Sequence, residues 1–232
     1  KKRVSDDFAA FKNLGAVVCI DHHLLEDSDA TIKFIDSDAA STGEVVLLIM
    51  KYSKGKIDEP LAQCIYTTLV VDTGFFKYSN TNANIFLLAH ELVLAGANPW
   101  VVAKNIEESY PVSRFKLLGS SLGSIDVKLN GKYATMDVTQ KMLKDSGAQM
   151  DMSDEFATFP RAIDGVEVAA LFREIEDGHV KISMRSKDFI DVSAIARSFG
   201  GGGHARAAGF RMKATLQEVK EKIYQSISKI IS

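Results

Sequence analysis

Residues 17–23 read VVCIDHH: Val17, Val18, Cys19, Ile20, then Asp21, His22 and His23. A short, unbroken apolar run without alternation is the pattern of a strand buried on both faces, as in a parallel sheet. The flanking sequence agrees. Residues 5–14 place Phe8, Phe11 and Leu14 at helical spacing, with Gly15 after the end. Ser41 and Glu44 match a capping box ahead of VVLLIM. Pro60 stands in the first turn of LAQCIYTTLVV, behind Asp58 and Glu59. That stretch also suits a strand; its flanks favour a helix. Residues 83–95 read as a helix closed by Gly96, and Asn98-Pro99 opens another. Trp100 is expected to pack one helix onto the next. Helices alternating with strands predict an α/β fold with a doubly wound, mainly parallel sheet.

Beyond residue 112 the pattern changes. PVSRFKLLGSSLGS begins as a connecting helix, so a boundary is expected over 112–126. SIDVKLNGKYATMDV holds Asn130-Gly131 between two alternating segments, a hairpin signal. VEVAALFREIEDGHVKISMRS repeats it around Asp177-Gly178, with Val180, Ile182 and Met184 on one face and Lys181, Ser183 and Arg185 on the other. The last segment is an amphipathic helix with Thr215 and Glu218 as its capping box, and Leu216, Val219, Ile223, Ile227 and Ile230 along one side. These elements predict a second, smaller α/β domain with a mixed sheet, joined to the first by a helical linker.

The 232 residues carry a net charge of −2, 46% hydrophobic and 25% charged residues. No global field marks a long duplex nucleic acid or a membrane as partner. No run is long and apolar enough to span a bilayer. Cys19 and Cys64, both in apolar stretches, argue against a disulfide scaffold or a cysteine zinc site and suit a reducing cytoplasm. The opening KKRVSDDFAAF lacks a signal-peptide core and an initial Met, which suggests a fragment of a longer chain.

Chemistry concentrates in a few places. Asp21-His22-His23 ends a parallel strand, where open α/β sheets place ligand sites. Imidazole with carboxylate suits Mn²⁺, Fe²⁺ or Zn²⁺. Both histidines reach one ion only if the chain turns there; the plain alternative is a loop aspartate with two half-exposed histidines. Asp72, in VVDTGFF, is a candidate ligand from a second loop, or simply a turn aspartate. SFGGGGHARAAGF at 198–210 holds four consecutive glycines. Their amides can form an anion nest, and a helix starting at His204 would add its dipole. The alternative there is a linker. Arg185, at a strand end, could grip a phosphate bidentately or be an ordinary solvated arginine. His90 and His179 are poor candidates.

Together, Asp21-His22-His23, Gly201-Gly202-Gly203-His204 and Ala207-Ala208-Gly209 resemble the DHH phosphoesterase superfamily with its DHH-associated C-terminal domain. DAASTGE, VDTGFFKYSNT, PRAIDGVEVAALFRE and MRSKDFIDVSAIARSFGGGGH look like its bifunctional oligoribonuclease and pAp phosphatase branch, the nanoRNases. The resemblance implies residues 1–112 as the C-terminal part of the catalytic domain, 113–126 as a linker helix and 127–232 as a substrate-binding domain. It implies a two-metal site, usually manganese with Mg²⁺ as a substitute, whose ions sit about 3.5–4 Å apart around an activated water. His22 and Asp72 would be metal ligands. His23 would contact the scissile phosphate or deliver a proton, and Asp21 would orient a histidine or lie close to the metals. Arg185, Ser186, Gly201, Gly202, Gly203 and His204 would hold the substrate's other phosphate, with the nucleotide lying across a cleft between domains. Short RNA or nucleotides are the implied partners, and a homodimer is allowed. The family's earlier motif of a histidine and two aspartates, and its bridging aspartate ahead of the DHH strand, have no match here; Asp6 and Asp7 lie too close to the strand to serve. One histidine and one aspartate do not make a stable di-metal site. Alternatives are therefore a cyclic di-AMP or pApA phosphodiesterase, and a nucleotide-binding module without catalysis.

Overall fold

The computed structural model describes residues 15–23, 30–175 and 177–231. The helix expected over 5–14 lies outside them. The chain divides into two compact units, Lys1–Ser109 and Tyr110–Ser232.

In the first unit, β1 (Val18–Asp21) pairs in parallel with β2 (Ile32–Ile35), Val18 opposite Ile32 and Asp21 opposite Ile35. Both strands thus end at the same edge. The strand forms as expected, but its burial does not: Val18 is 49% and Ile20 37% exposed, because β2 is its sole strand neighbour among the described residues. Four helices follow, α1 (Thr42–Tyr52), α2 (Glu59–Asp72), α3 (Ala83–Leu94) and α4 (Pro99–Glu107). Each start is capped by a side-chain oxygen. Ser41 accepts from the Glu44 amide, Asp58 from Leu61, Asn82 from Ile85, and Asn98 from Trp100 and Val101. The ambiguous LAQCIYTTLVV is helical; Ala62, Ile65, Tyr66, Leu69 and Val70 form its buried stripe. With Leu47, Ile85 and Leu92 they make the core of this unit. Trp100 does not pack α3 onto α4 as expected. It is 58% exposed, whereas Val102, two residues on and therefore on a different side of the helix, enters the core.

In the second unit, α5 (Val112–Leu122) buries Leu117 completely. The sheet comprises β3 (Asp126–Lys128), β4 (Tyr133–Val138), β5 (Val168–Glu174), β6 (His179–Ser186), β7 (Gly202–His204) and β8 (Ala207–Lys213), in spatial order β3-β4-β5-β6-β8-β7. Only β4 and β5 are parallel neighbours, so the sheet is mixed, as expected. The first hairpin turns through left-handed Leu129, Asn130 and Gly131, with φ of 51°, 53° and 86°. Between the strands lie α6 (Gln140–Ser146), α7 (Thr158–Arg161) and α8 (Val192–Ser198), and α9 (Leu216–Ser228) closes the chain. Helix α9 carries the full reciprocal capping box of Thr215 and Glu218. Val219, Ile223 and Ile227 are fully buried, each contributing about 1.5–3 kcal/mol of transfer free energy. Ile230 lies past the helix end and is half exposed.

The two sheet faces differ. Helices α8 and α9 cover one with the core of Phe172, Val180, Ile182, Met184 and Phe210. On the other, α5, α6 and Phe156 cover β4 and β5, around Met136 and Leu171.

Candidate metal centre and phosphate-binding face

The metal-binding candidates gather at the end of β1. Asp21 Oδ1 accepts from the His22 amide (2.8 Å), the His23 amide (3.1 Å) and His23 Nδ1 (2.6 Å). This turn bends the chain as the strand stops, so the two histidines no longer point oppositely. Their rings sit 4.3 Å apart, edge to face. Burial pushes the Asp21 carboxyl up, but the bonds from the His23 ring and the two amides outweigh it and hold the group below its ordinary value.

His22 Nδ1 lies 3.2 Å from the Ala39 carbonyl. A carbonyl can only accept, so Nδ1 is the donor there, and in the neutral ring Nε2 is the nitrogen left with a lone pair. Nε2 faces Asp72 Oδ2 at 3.7 Å. Asp72 arrives as the last residue of α2, not from a loop. Burial raises its carboxyl above the ordinary value, opposed by the charges of His22 and His23. Asp21, His22 and His23 each offer a ligand atom within 4.8 Å of the others. Imidazole nitrogen beside carboxylate oxygen, with the tautomer set by a backbone acceptor, fits a divalent transition ion.

Some contributors carry no sequence signal. Ala39 acts only through its backbone oxygen. Asn80 donates Nδ2 to the carbonyl oxygens of Asp72 (3.1 Å) and Ala40 (3.4 Å), tying the end of α2 to the segment that holds His22. The Glu44 carboxylate takes the Ala40 amide (2.7 Å) and Asn84 Nδ2 (3.2 Å), so this capping box closes one residue further out than its pattern predicts. After Asp72 the chain is left-handed at Gly74, Phe75 and Phe76, with φ of 57°, 60° and 60°. Such residues cost about 1–2 kcal/mol each when not glycine. A Cβ on Gly74 would lie 2.4–2.6 Å from Tyr78 ring atoms, so any other residue there would have to displace that half-exposed ring.

The phosphate-binding candidates lie in the second unit. No helix starts at His204. Gly202, Gly203 and His204 form β7, antiparallel to β8, and Ala205-Arg206 is the two-residue turn between them. The Gly200 and Gly201 amides close the end of α8 by bonding Arg197 and Ala196 carbonyls, so two of the four glycine amides are already used. The edge of the sheet supplies pairing partners that a free glycine loop would lack. Gly201 and Gly203 are demanded by close approach. A Cβ there would come within 2.3 Å of Gly209 O and 2.4 Å of Ala207 O respectively, and Gly203 has φ 145°. At Gly202 a Cβ would meet nothing within 4 Å.

Arg185 is opposite Ala207, which is opposite His204. Directly opposed residues share a sheet face, so arginine and histidine flank a small alanine on the same side. Ser186 is not brought there. It is buried, and its hydroxyl donates to Ile190 O at 2.7 Å. The loop after it is held by Glu167, whose carboxylate accepts the amides of Phe189 and Ile190 at 2.9 Å and of Asp188 at 3.2 Å. The only sequence trace of this brace is an acidic residue inside the apolar run VEVAAL.

Residues 1–70 match the DHH family, N-terminal domain, and residues 130–232 match the DHHA1 domain. The chain belongs to the DHH phosphoesterase superfamily. Within it, the similarity runs to the bifunctional oligoribonuclease and PAP phosphatase branch. A protein from Thermus thermophilus named bifunctional oligoribonuclease and PAP phosphatase NrnA is 29% identical over 214 residues, covering 92% of this chain and 64% of its own. One from Streptococcus mutans, named as a probable enzyme of the same kind, is 27% identical over 231 residues, covering 100% of this chain and 72% of its own. The crystal structure of an exopolyphosphatase-related protein from Bacteroides fragilis superposes with a TM-score of 0.91 at 27% identity, over 99% of this chain and 68% of the other. The chain thus spans about two thirds of the length of these relatives. Among the described residues no single helix is long and apolar enough to cross a membrane.

Proposed function

We propose that this protein is a metal-dependent phosphoesterase, with manganese as its ion, that hydrolyses very short oligoribonucleotides and 3'-phosphoadenosine 5'-phosphate. The observation that carries this reading is the convergence of Asp21, His22 and His23, with ligand atoms within 4.8 Å of one another, on the face that Asp72 borders. The names of the relatives support the substrate class.

When bound, the ion supplies Lewis acidity toward a phosphoryl oxygen and an activated water. His22 presents Nε2 as a ligand because the Ala39 carbonyl holds the proton on Nδ1. Asp72 offers Oδ2 beside it. Asp21 orients His23 through Nδ1, which suits His23 to contact the scissile phosphate or hand a proton to the leaving oxygen. Arg185 and His204 hold a second phosphate of the substrate, and Gly202 leaves the approach open.

The test is hydrolysis of pAp and of di- to pentaribonucleotides by the full-length protein with Mn²⁺. Both are expected to be cleaved, and His22→Ala or Asp72→Ala should lower turnover by at least about a hundredfold without loss of fold. Cleavage of cyclic di-AMP or polyphosphate with neither of these substrates turned over would refute the reading.

A further inference from the structure

The register of the second sheet extends the phosphate-binding face beyond Arg185 and His204. Ser183 pairs with Gly209, and Gly209 with Gly202, in the next same-face row. Lys181 pairs with Arg211 in the row after that. Strands alternate faces, so all three rows look out on the same side. That side is opposite the α8–α9 core; the elements that cover it lie chiefly over β4 and β5, with α7 also reaching β6. Over β6 and β8, Arg211 is exposed and Lys181 partly so.

The middle row is Ser183, which is buried, then the half-buried Gly209 and the exposed Gly202. It forms a low floor between two cationic ends, Arg185 with His204 and Lys181 with Arg211. Four residues of strand separate these ends, about 13 Å. That span exceeds the separation of the two phosphates on a single nucleotide.

The charge at the far end is not neutralised. The Arg211 side chain has no hydrogen bond or ion pair with any described residue. Lys181 lies 3.5 Å from Asp154, but that carboxylate is shared with the buried Arg173. Arg173, opposite Lys181 and so on the same face, donates Nη2 to Ser183 Oγ at 2.7 Å beside that row, and its Nε is buried without a partner. Lys181 and the buried Arg173 thus share one carboxylate, and the Arg211 side chain has none.

We propose that Lys181 and Arg211 form a second phosphate-binding position, so that this face holds two separated phosphates of one short oligonucleotide. The glycine floor lets the sugar–phosphate backbone lie against the sheet, and the cations at each end fix it there. The position grips substrates of several nucleotides and leaves pAp untouched. This rests on the reading of the protein as a hydrolase of short oligoribonucleotides.

Equilibrium binding of pAp and of pentaadenylate to the full-length protein, with metal chelated to prevent turnover, tests it. Lys181→Ala/Arg211→Ala should weaken pentaadenylate binding about tenfold, as expected for lost charge-assisted contacts, and make its salt dependence shallower. Affinity for pAp should not change. Arg211→Glu, an exposed substitution that leaves the core alone, should have the same selective effect. Equal weakening of both ligands, or none, in protein whose wild type binds both would overturn the second position alone. Wild-type protein that binds neither would overturn it together with the hydrolase reading.

Discussion

At the residue scale, the glycines of GGGGH separate packing from recognition. Gly203 combines φ 145° with backbone atoms where a Cβ would sit. Gly203→Ala should therefore destabilise the second unit by about 1–3 kcal/mol, read as a lower denaturation midpoint. Gly202 has open space around it. Gly202→Ala should leave the midpoint unchanged and weaken pAp binding. A Gly202→Ala protein with full affinity would show that no ligand approaches there. The same contrast marks the limit of sequence reading. Four consecutive glycines suggested a nest running into a helix, because adjacent amides without side chains can all turn toward an anion. Only the partner strand Ala207–Lys213 reveals that two of those amides cap α8 and that the others belong to a strand. Asp72 has a similar history. Its identity was legible, and the flanks of LAQCIYTTLVV favoured a helix before it, but only the structure makes Asp72 the last residue of that helix and not the first of a loop.

At the element scale, the helices were legible because their starts are chemical. Ser41, Asp58, Asn82, Asn98 and Thr215 each satisfy an amide that the helix leaves unpaired. Two caps carry a pH signature. The bond from the Ser193 hydroxyl holds the Asp191 carboxyl low against the opposing effect of burial, helped by bonds from the Ala194 and Ser193 amides and by the charge of Arg197. The Thr215 amide and hydroxyl do the same for Glu218. A carboxylate with a depressed folded-state pKa stabilises the fold above its unfolded value, about 3.9 for Asp and 4.3 for Glu. That contribution is lost as the pH falls through the lower folded-state value. Thermal melts from neutral pH into the acid range should therefore show stability falling, with a flatter acid limb in Asp191→Asn and Glu218→Gln. Asn and Gln keep the capping geometry, so their neutral-pH midpoints should stay close to wild type. An unchanged acid limb in both variants would contradict the assignment. The half-closed box at Ser41 shows what a pattern leaves out, because Glu44 has two acceptor oxygens and the fold offers them the Ala40 amide and Asn84.

At the scale of the whole molecule, Tyr110–Ser232 contains two buried clusters of its own, one on each sheet face. Expressed alone, it should fold and melt in a single cooperative transition with a near-ultraviolet circular dichroism signal. A broad, signal-free melt would show that it depends on residues outside it. The sequence by itself determined the starts of α1 to α5 and α9, the hairpin turns, the division into a parallel α/β part and a mixed-sheet part, and the residue types able to hold metal and phosphate. These follow from local propensity and from side-chain periods of 3.6 and 2, which act within a few residues. Tertiary structure alone decided that Ala39 sets the His22 tautomer, that the Ser186 hydroxyl reaches the Ile190 carbonyl, and that Lys181 stands opposite Arg211. Each of those depends on strand register or on a backbone carbonyl from another segment, and neither leaves a trace in the order of residues along the chain.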